Sequence, residues 1–197
     1  MKTELKDGTK TYYAKSKSNW RKWLEKNGEK EKSVWLIIYK KESLVPSVTY
    51  KEAVEEALCF GWIDSKPNKR DDESYYQFFA RRSPKSKWSK INKQTVARLI
   101  EQGLMYPAGL RTIEIAKEKG TWTALEAIDN LIIPDDLQKA FSKNKTACKN
   151  FDAFPDSSKK IILHWIAEAK RKETRDKRIA ESVLLAAKNI RANHYRQ

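Results

Sequence analysis

The sequence predicts an α+β fold, in which a small antiparallel sheet is covered by helices and is followed by an all-helical C-terminal half. Three observations lead to this prediction. Residues 35–39 form the most strand-like apolar run of the chain. Residues 62–66 and 75–79 are aromatic, alternating segments on either side of a polar turn, which predicts a hairpin. After residue 130, apolar residues recur at helical spacing.

The N-terminal region is predicted to contribute one edge strand and one helix. Residues 10–14 have the pattern of a short edge strand. A serine can cap the helix that follows, and Gly28 ends it. Trp20, Trp23 and Leu24 fall on one face of this helix. We interpret that face as part of the core, and a stacking platform is the alternative.

A capping box begins the central part of the chain. The hydroxyl of Thr49 can accept from the amide of Glu52, and the Glu52 carboxylate can accept from the amide of Thr49. Gly61 stands where the end of this helix requires a left-handed residue. The hairpin comes next, and a second helix follows it. The inward face of that second helix is predicted to contain Trp88, Ile91, Thr95 and Leu99.

The C-terminal half is predicted to be a series of helices. Pro134 begins one of them, and Phe151 lies at an aromatic joint that leads to the next. Ser157 or Ser158 is expected to cap the following helix, and the last helix is expected to begin near Glu173.

The chain is strongly basic, with a formal net charge of +15 at pH 7. Between residues 81 and 98 it has seven basic residues and no acid: Arg81, Arg82, Lys85, Lys87, Lys90, Lys93 and Arg98. Such an excess favours polyanionic partners, namely nucleic acid, anionic lipid or an acidic protein. A surface of solvated lysines is the alternative interpretation, since lysine far outnumbers the arginine that base recognition uses.

Three segments closely resemble the YdeI/OmpD-associated family of bacterial proteins. They are residues 56–65 (EALCFGWIDS), 79–89 (FARRSPKSKWS) and 165–180 (WIAEAKRKETRDKRIA). The last of them looks like the segment that the family calls bacteriocin-protection, and the resemblance spans residues 34–186.

The resemblance implies two domains. Residues 1–130 would form an α+β domain of the YjbR/CyaY-like superfamily, with a helix layer on a small antiparallel sheet. Residues 131–197 would form the helical YdeI/OmpD-associated C-terminal domain. The family's names come from associations with envelope proteins and with antimicrobial tolerance, and it supplies no catalytic residues to carry over.

The candidate ligand- or anion-binding site combines aromatic, acidic and basic side chains. Its members are Tyr39, Trp62, Asp64, Arg81, Arg82, Lys87, Trp88, Lys90, Asn92 and Lys93. Arginine forks beside aromatic planes suit phosphate groups and stacked bases or sugars. The alternative interpretation is an ion pair between Asp64 and an arginine that ties the hairpin to the next helix, with the tryptophans in the core.

A secondary basic patch is predicted near the start of the last helix. It consists of Lys170, Arg171, Arg175 and Arg178. A polyanion contact is one interpretation of this patch. The other is a salt-bridged helix start, in which Glu173 and Asp176 complement the helix dipole.

Catalysis, a cofactor and a metal site are not expected. The six glycines are isolated, so no phosphate-binding loop is formed, and two cysteines with two histidines do not give a zinc-site spacing. Cys59 is interpreted as a small buried hydrophobe. Residues 1–8 are charged rather than apolar, which is unlike a signal peptide, and no window is long and apolar enough to cross a bilayer. We therefore expect a cytoplasmic protein that is not transmembrane.

These observations lead to three hypotheses about function. The first is a non-enzymatic binding or stress-tolerance protein whose basic face engages nucleic acid or another polyanion. The second is an enzyme or binding protein for a small phosphorylated or acidic ligand, held between Trp62, Asp64 and Arg81. The third is an adaptor for an envelope-associated protein.

Overall fold

The computed structural model describes residues 4–193, and the chain divides into two compact units after Ala124. The first unit contains a five-stranded sheet with helices, and every element of the second unit's described residues is a helix. The α+β class predicted from the sequence is therefore confirmed. The signal-peptide prediction depends on residues 1–8, and residues 1–3 lie outside the described range.

The described part of the first unit, residues 4–124, has nine elements. They are β1 (Leu5–Lys6), β2 (Thr9–Tyr13), α1 (Lys17–Asn27), β3 (Ser33–Tyr39), α2 (Tyr50–Cys59), β4 (Trp62–Lys69), β5 (Ser74–Arg81), α3 (Lys90–Glu101) and α4 (Pro107–Glu118). The strand order is β1-β2-β3-β5-β4. Strands β2 and β3 pair in parallel because α1 connects them as a crossover, and β2, predicted as an edge strand, lies between β1 and β3. The other neighbouring strands are antiparallel.

Strand β3 lies at the centre of the sheet and is buried on both faces. Val34, Leu36 and Ile38 pack into the main core of the unit. Trp35 and Ile37, which alternate with them, pack into a smaller cluster on the opposite face. A strand buried on both sides reads as a continuous apolar run, and this explains the strength of its sequence signal.

The predicted capping box of α2 is present. The amide of Thr49 donates to Glu52 Oε2 at 2.9 Å, and the amide of Glu52 donates to Thr49 Oγ1 at 3.3 Å. Gly61 follows the helix with a φ of +73°, and a Cβ placed there would lie 2.7 Å from Cγ2 of Thr112. Glycine therefore allows both the turn into β4 and the close approach of α4.

The predicted hairpin is formed by β4 and β5. Asp64 lies opposite Phe79, and the register shifts between Asp64 and Pro67. Pro67 is tolerated because β4 is an edge strand and because it lies at this irregularity. The side-chain amide of Gln77 donates to the Ser65 carbonyl at 2.8 Å and so bridges the two strands there.

The prediction that Ile91 faces inward from the helix after the hairpin, which is α3, is wrong. Ile91 is 73% exposed, whereas Val96 and Leu99 are buried. The reason is that α3 begins only after Ser89, whose hydroxyl accepts from the amide of Asn92 at 3.3 Å. Trp88 therefore precedes the helix, and helical spacing counted from it does not apply.

The second unit consists of helices packed around a phenylalanine-rich core. Its elements are α5 (Glu126–Asp129), α6 (Asp135–Ser142), α7 (Lys145–Ala153), α8 (Asp156–Ala167) and α9 (Lys172–Ala187). Phe151, predicted to lie at a joint, is part of α7, which the sequence analysis did not predict. Pro155 occupies the N-cap of α8, with no side-chain cap from Ser157 or Ser158. Among residues 4–193, we find no helix with the length and apolarity needed to span a membrane.

Candidate functional site

The two tryptophans of the predicted site are core residues. Trp62 is fully buried, and its indole nitrogen donates to the Gly28 carbonyl at 3.1 Å. Trp88 is 1% exposed, and its ring centroid lies 5.0 Å from that of Trp122. Neither ring offers a face on which a base or sugar can stack. Their burial contradicts their prediction as ligand-binding residues and agrees with the part of the alternative interpretation that places the tryptophans in the core.

Arg82 was predicted to contact a ligand at the surface, but it is buried. It is 8% exposed, and its guanidinium carbon lies 3.7 Å from the ring centroid of Trp88. Its Nη2 donates to the Lys87 carbonyl at 2.7 Å, and its amide donates to the Gly61 carbonyl at 2.9 Å. Burial lowers the pKa of Arg82 to about 10, so it remains a cation at neutral pH. Arg82 is therefore an anchor for the loop rather than an exposed contact.

Asp64 contacts a tyrosine instead of an arginine. It is half-buried, and its Oδ2 accepts from the hydroxyl of Tyr50 at 2.7 Å. Burial raises the pKa of Tyr50, and the hydrogen bond to Asp64 raises it further. Asp64 forms no ion pair with Arg81 or Arg82, although its charge is felt at Arg82. The small-ligand pocket predicted between Trp62, Asp64 and Arg81 is therefore not favoured by the geometry.

Tyr39 lies away from the other predicted site residues. Strand β3 does neighbour the hairpin, but Tyr39 pairs with Ser74, at the far end of β5 from Arg81. It also belongs to the cluster on the opposite sheet face from Asp64. Its hydroxyl accepts from Arg70 at 3.4 Å. Tyr39 is thus removed from the candidate site.

The basic residues from the end of β5 onward remain together as a surface feature. We call residues 81–93 the basic segment. Four of its cations are exposed and form no ion pair with any residue between 4 and 193: Arg81, Lys85, Lys87 and Lys90. Asn92 and Lys93 are half-buried, and Lys93 Nζ lies 5.8 Å from the Trp122 ring centroid. The exposed cations are the part of the predicted site that is open to a partner.

The loop of the basic segment is fixed to the unit beneath it. The amide of Ser86 donates to the Ser83 carbonyl at 2.9 Å, and the amide of Trp88 donates to the Thr121 carbonyl at 3.2 Å. Together with the stacking of Arg82 on Trp88, these bonds tie the loop to the rest of the first unit. Cations on a fixed backbone lose less conformational entropy on binding than cations on a mobile loop.

Two arginines of the secondary basic patch are used within the fold. Arg175 binds Asp136 through two bonds, from Nε at 2.5 Å and from Nη2 at 2.9 Å. Arg178 donates to the Trp165 carbonyl, and its guanidinium lies 5.1 Å from that ring centroid. These contacts join α9 to α6 and α8, and neither of them involves Glu173 or Asp176, the acids named in the salt-bridged interpretation. Lys170 and Arg171 are exposed.

An ionic cluster that was not predicted from the sequence surrounds the buried Glu56 of α2. Glu56 is 2% exposed and accepts from Arg21 Nη1 at 2.8 Å, with Lys17 Nζ 3.4 Å away. Arg21 also donates to the Leu104 carbonyl at 3.1 Å. One signal was present, because Glu56 falls on the apolar stripe of α2 beside Ala53. The cluster joins α1 and α2 and stabilises their packing.

The cysteines are both free thiols. Cys59 is fully buried, and burial raises its pKa to about 11. The thiol is therefore protonated at neutral pH, which fits its interpretation as a buried hydrophobe and opposes a nucleophilic role. Cys148, half-buried on α7, lies 3.8 Å from Asp152 Oδ2. Within residues 4–193, no three histidine, cysteine or acidic side chains are grouped so that they could hold a metal ion.

Comparison with protein families yields two matches. The model of a domain of unknown function (DUF8412) matches residues 12–112, slightly more than half of the chain. The model described as "Bacteriocin-protection, YdeI or OmpD-Associated" matches residues 130–189. No curated protein and no solved structure matches the chain. The second match confirms the resemblance to the YdeI/OmpD-associated family for the C-terminal helices, whereas a relation to the YjbR/CyaY-like superfamily stays a prediction.

Proposed function

The chain belongs to the DUF8412 family, and we propose that it is a cytoplasmic binding protein of the YdeI/OmpD-associated type that contacts nucleic acid through the basic segment. The observation that carries this proposal is the set of four exposed cations without an acidic partner among residues 4–193. A role in stress tolerance, which the words bacteriocin protection suggest, is part of the proposal.

The contact would be made mainly to phosphate groups. Four cations follow one another within ten residues, and a nucleic acid strand presents a phosphate about every 3.4 Å along its axis. Since Trp62 and Trp88 are buried, the segment has no tryptophan with which to stack on bases. We therefore expect binding that depends on salt and is indifferent to sequence.

The proposal is tested by fluorescence anisotropy with a labelled DNA duplex and a labelled single strand, at about 50 mM and about 150 mM salt. The informative variant replaces Lys85, Lys87 and Lys90 by alanine. Its matched control replaces Lys22, Lys26 and Lys30 by alanine. The control removes the same charge from a stretch of the first unit in which lysines alternate with Glu25, Glu29 and Glu31.

The expected result is that the basic-segment variant binds on the order of tenfold to a hundredfold more weakly at low salt, because three phosphate contacts are lost. The control should lose less than about threefold, since its lysines lie beside acids. Equal losses in both variants would show that only net charge matters. No binding of the wild-type protein at low salt would exclude nucleic acid as the partner.

A further inference from the structure

The second unit contains a cavity of about 310 Å³ between α5 and α8. Its walls are mainly apolar, and Ile128, Ile161 and Trp165 supply much of them. A volume of this size lies at the lower end of the range of small-molecule sites. The orientation of Trp165 is fixed from α9, because Arg178 donates to its carbonyl and lies over its ring.

Asp129, which lines the cavity, has a carboxylate without a hydrogen-bond or ion-pair partner among residues 4–193. Oδ2 of Asp129 is shielded from solvent and accepts no hydrogen bond from residues 4–193. Lys160 lines the same cavity but forms no ion pair with Asp129. A buried acceptor without a donor is costly, and the cost is greater when the acceptor is charged. A cation bound in the cavity would offset part of that cost through its charge.

The charges around the cavity select the kind of donor. Asp129 and Glu168 contribute two carboxylates and Lys160 one cation, so the ionised lining is negative although the whole chain carries +15. His164, also in the lining, has its Nδ1 3.5 Å from Oε1 of Glu168. Arg178, whose guanidinium lies 5.1 Å from the ring centroid of Trp165, offsets part of this negative charge, so the preference for a cation rests on the unpaired Asp129.

We propose that this cavity is a binding site for a small primary ammonium compound with an apolar or aromatic body. The ammonium group would lie beside the carboxylate of Asp129, and the body would contact Ile128, Ile161 and Trp165. This site lies within the second unit and is independent of the basic segment, so either proposal can fail without the other.

The first test uses three probes of similar shape and different charge on the full-length wild-type protein. They are phenethylammonium, the neutral 2-phenylethanol and the anionic 3-phenylpropionate, each titrated by isothermal calorimetry. We expect saturable binding of phenethylammonium, at least about tenfold weaker binding of the alcohol, and the weakest binding for the carboxylate. Absent binding of phenethylammonium, or equal binding of all three probes, would overturn the proposal.

The second test uses variants. Asp129→Asn should weaken phenethylammonium at least about tenfold while leaving 2-phenylethanol unchanged, because only the charge of the acceptor is lost. Glu181→Gln, which neutralises an exposed acid of α9 outside the cavity, should leave both affinities unchanged. Equal weakening by the two variants would contradict a specific role for Asp129. If Asp129→Asn fails to fold, the wild-type probe series alone decides.

Discussion

The two basic regions of the chain are similar in composition and differ in what their cations contact. In the basic segment, Arg81 and three lysines are exposed and form no ion pair with the described residues. In residues 170–178, which we call the basic run, Arg175 binds Asp136 and Arg178 binds a main-chain carbonyl. Lys172 is also paired, to Asp176 at 2.6 Å.

The difference shows that the surrounding acids decide how many cations are available to a partner. The basic run contains two acids of its own and faces Asp136 on α6, whereas the basic segment contains no acid. In the basic segment, different residues anchor the backbone and present positive charge to solvent. Arg82 and Trp88 hold the backbone from inside, and neighbouring lysines point outward.

The largest predicted change in stability tests whether Trp88 anchors the basic segment. Trp88→Ala should lower the free energy of unfolding by about 3–5 kcal/mol, because it leaves a cavity beneath the basic segment. Ile91→Ala, three residues away but exposed, should change it by less than about 0.5 kcal/mol. Urea denaturation measures both values. Similar losses in the two variants would show that the segment is not anchored as described.

A smaller effect is expected for the ion pair of the basic run. Arg175→Ala should cost about 1–2 kcal/mol, since it removes a two-bond, charge-assisted contact that is only partly exposed. Lys87→Ala in the basic segment should cost less than about 0.5 kcal/mol. A double-mutant cycle of Arg175→Ala with Asp136→Ala isolates the pair. A coupling energy of zero would mean that the cations of the basic run, like those of the basic segment, are not held by partners within the protein.

The smallest effect is a pH dependence of the same pair. The hydrogen bonds from Arg175 hold the pKa of Asp136 below its ordinary value of about 3.9. A carboxyl whose pKa is depressed by folding adds stability above its unfolded pKa, and that stability is lost as the pH falls through the folded pKa. The wild-type protein should therefore melt above Asp136→Asn at pH 7, and the difference should shrink below about pH 4.

A melting-temperature difference that stays constant between neutral and acidic pH would contradict this prediction. Lys87→Ala serves as the control, because the basic segment has no acid whose titration it can affect. Its melting temperature should follow that of the wild-type protein at every pH.

Local features of the fold were predictable from the sequence because they depend on neighbouring residues. The capping box at Thr49 and Glu52, the left-handed Gly61 and the hairpin of β4 and β5 are examples. The parallel pairing of β2 with β3 was not predictable, since it depends on the path that α1 takes over the sheet. Ile91 was misplaced because the first residue of α3 is set by the Ser89 cap.

The candidate site was predictable in charge but not in contacts. The acid-free run from residue 81 to residue 98 is visible in the sequence, and its exposed lysines are where it predicts them. The partner of Arg175 lies 39 residues away along the chain, beyond the reach of any local pattern. Likewise, nothing near Trp62 in the sequence indicates that its indole nitrogen binds Gly28.

The most direct test of the comparison is the salt dependence of DNA binding, measured as the slope of log affinity against log salt. Two variants are compared with the wild-type protein, and each replaces three exposed cations by alanine. One changes Lys85, Lys87 and Lys90 of the basic segment, and the other changes Lys170, Arg171 and Lys177 of the basic run.

We predict that the slope falls by about 2 to 3 for the variant of the basic segment, at about 0.9 for each phosphate contact that is lost. For the variant of the basic run, we predict a slope within about 0.5 of the wild-type value. The opposite order, or an equal fall in both variants, would contradict the assignment of the basic segment as the nucleic acid contact.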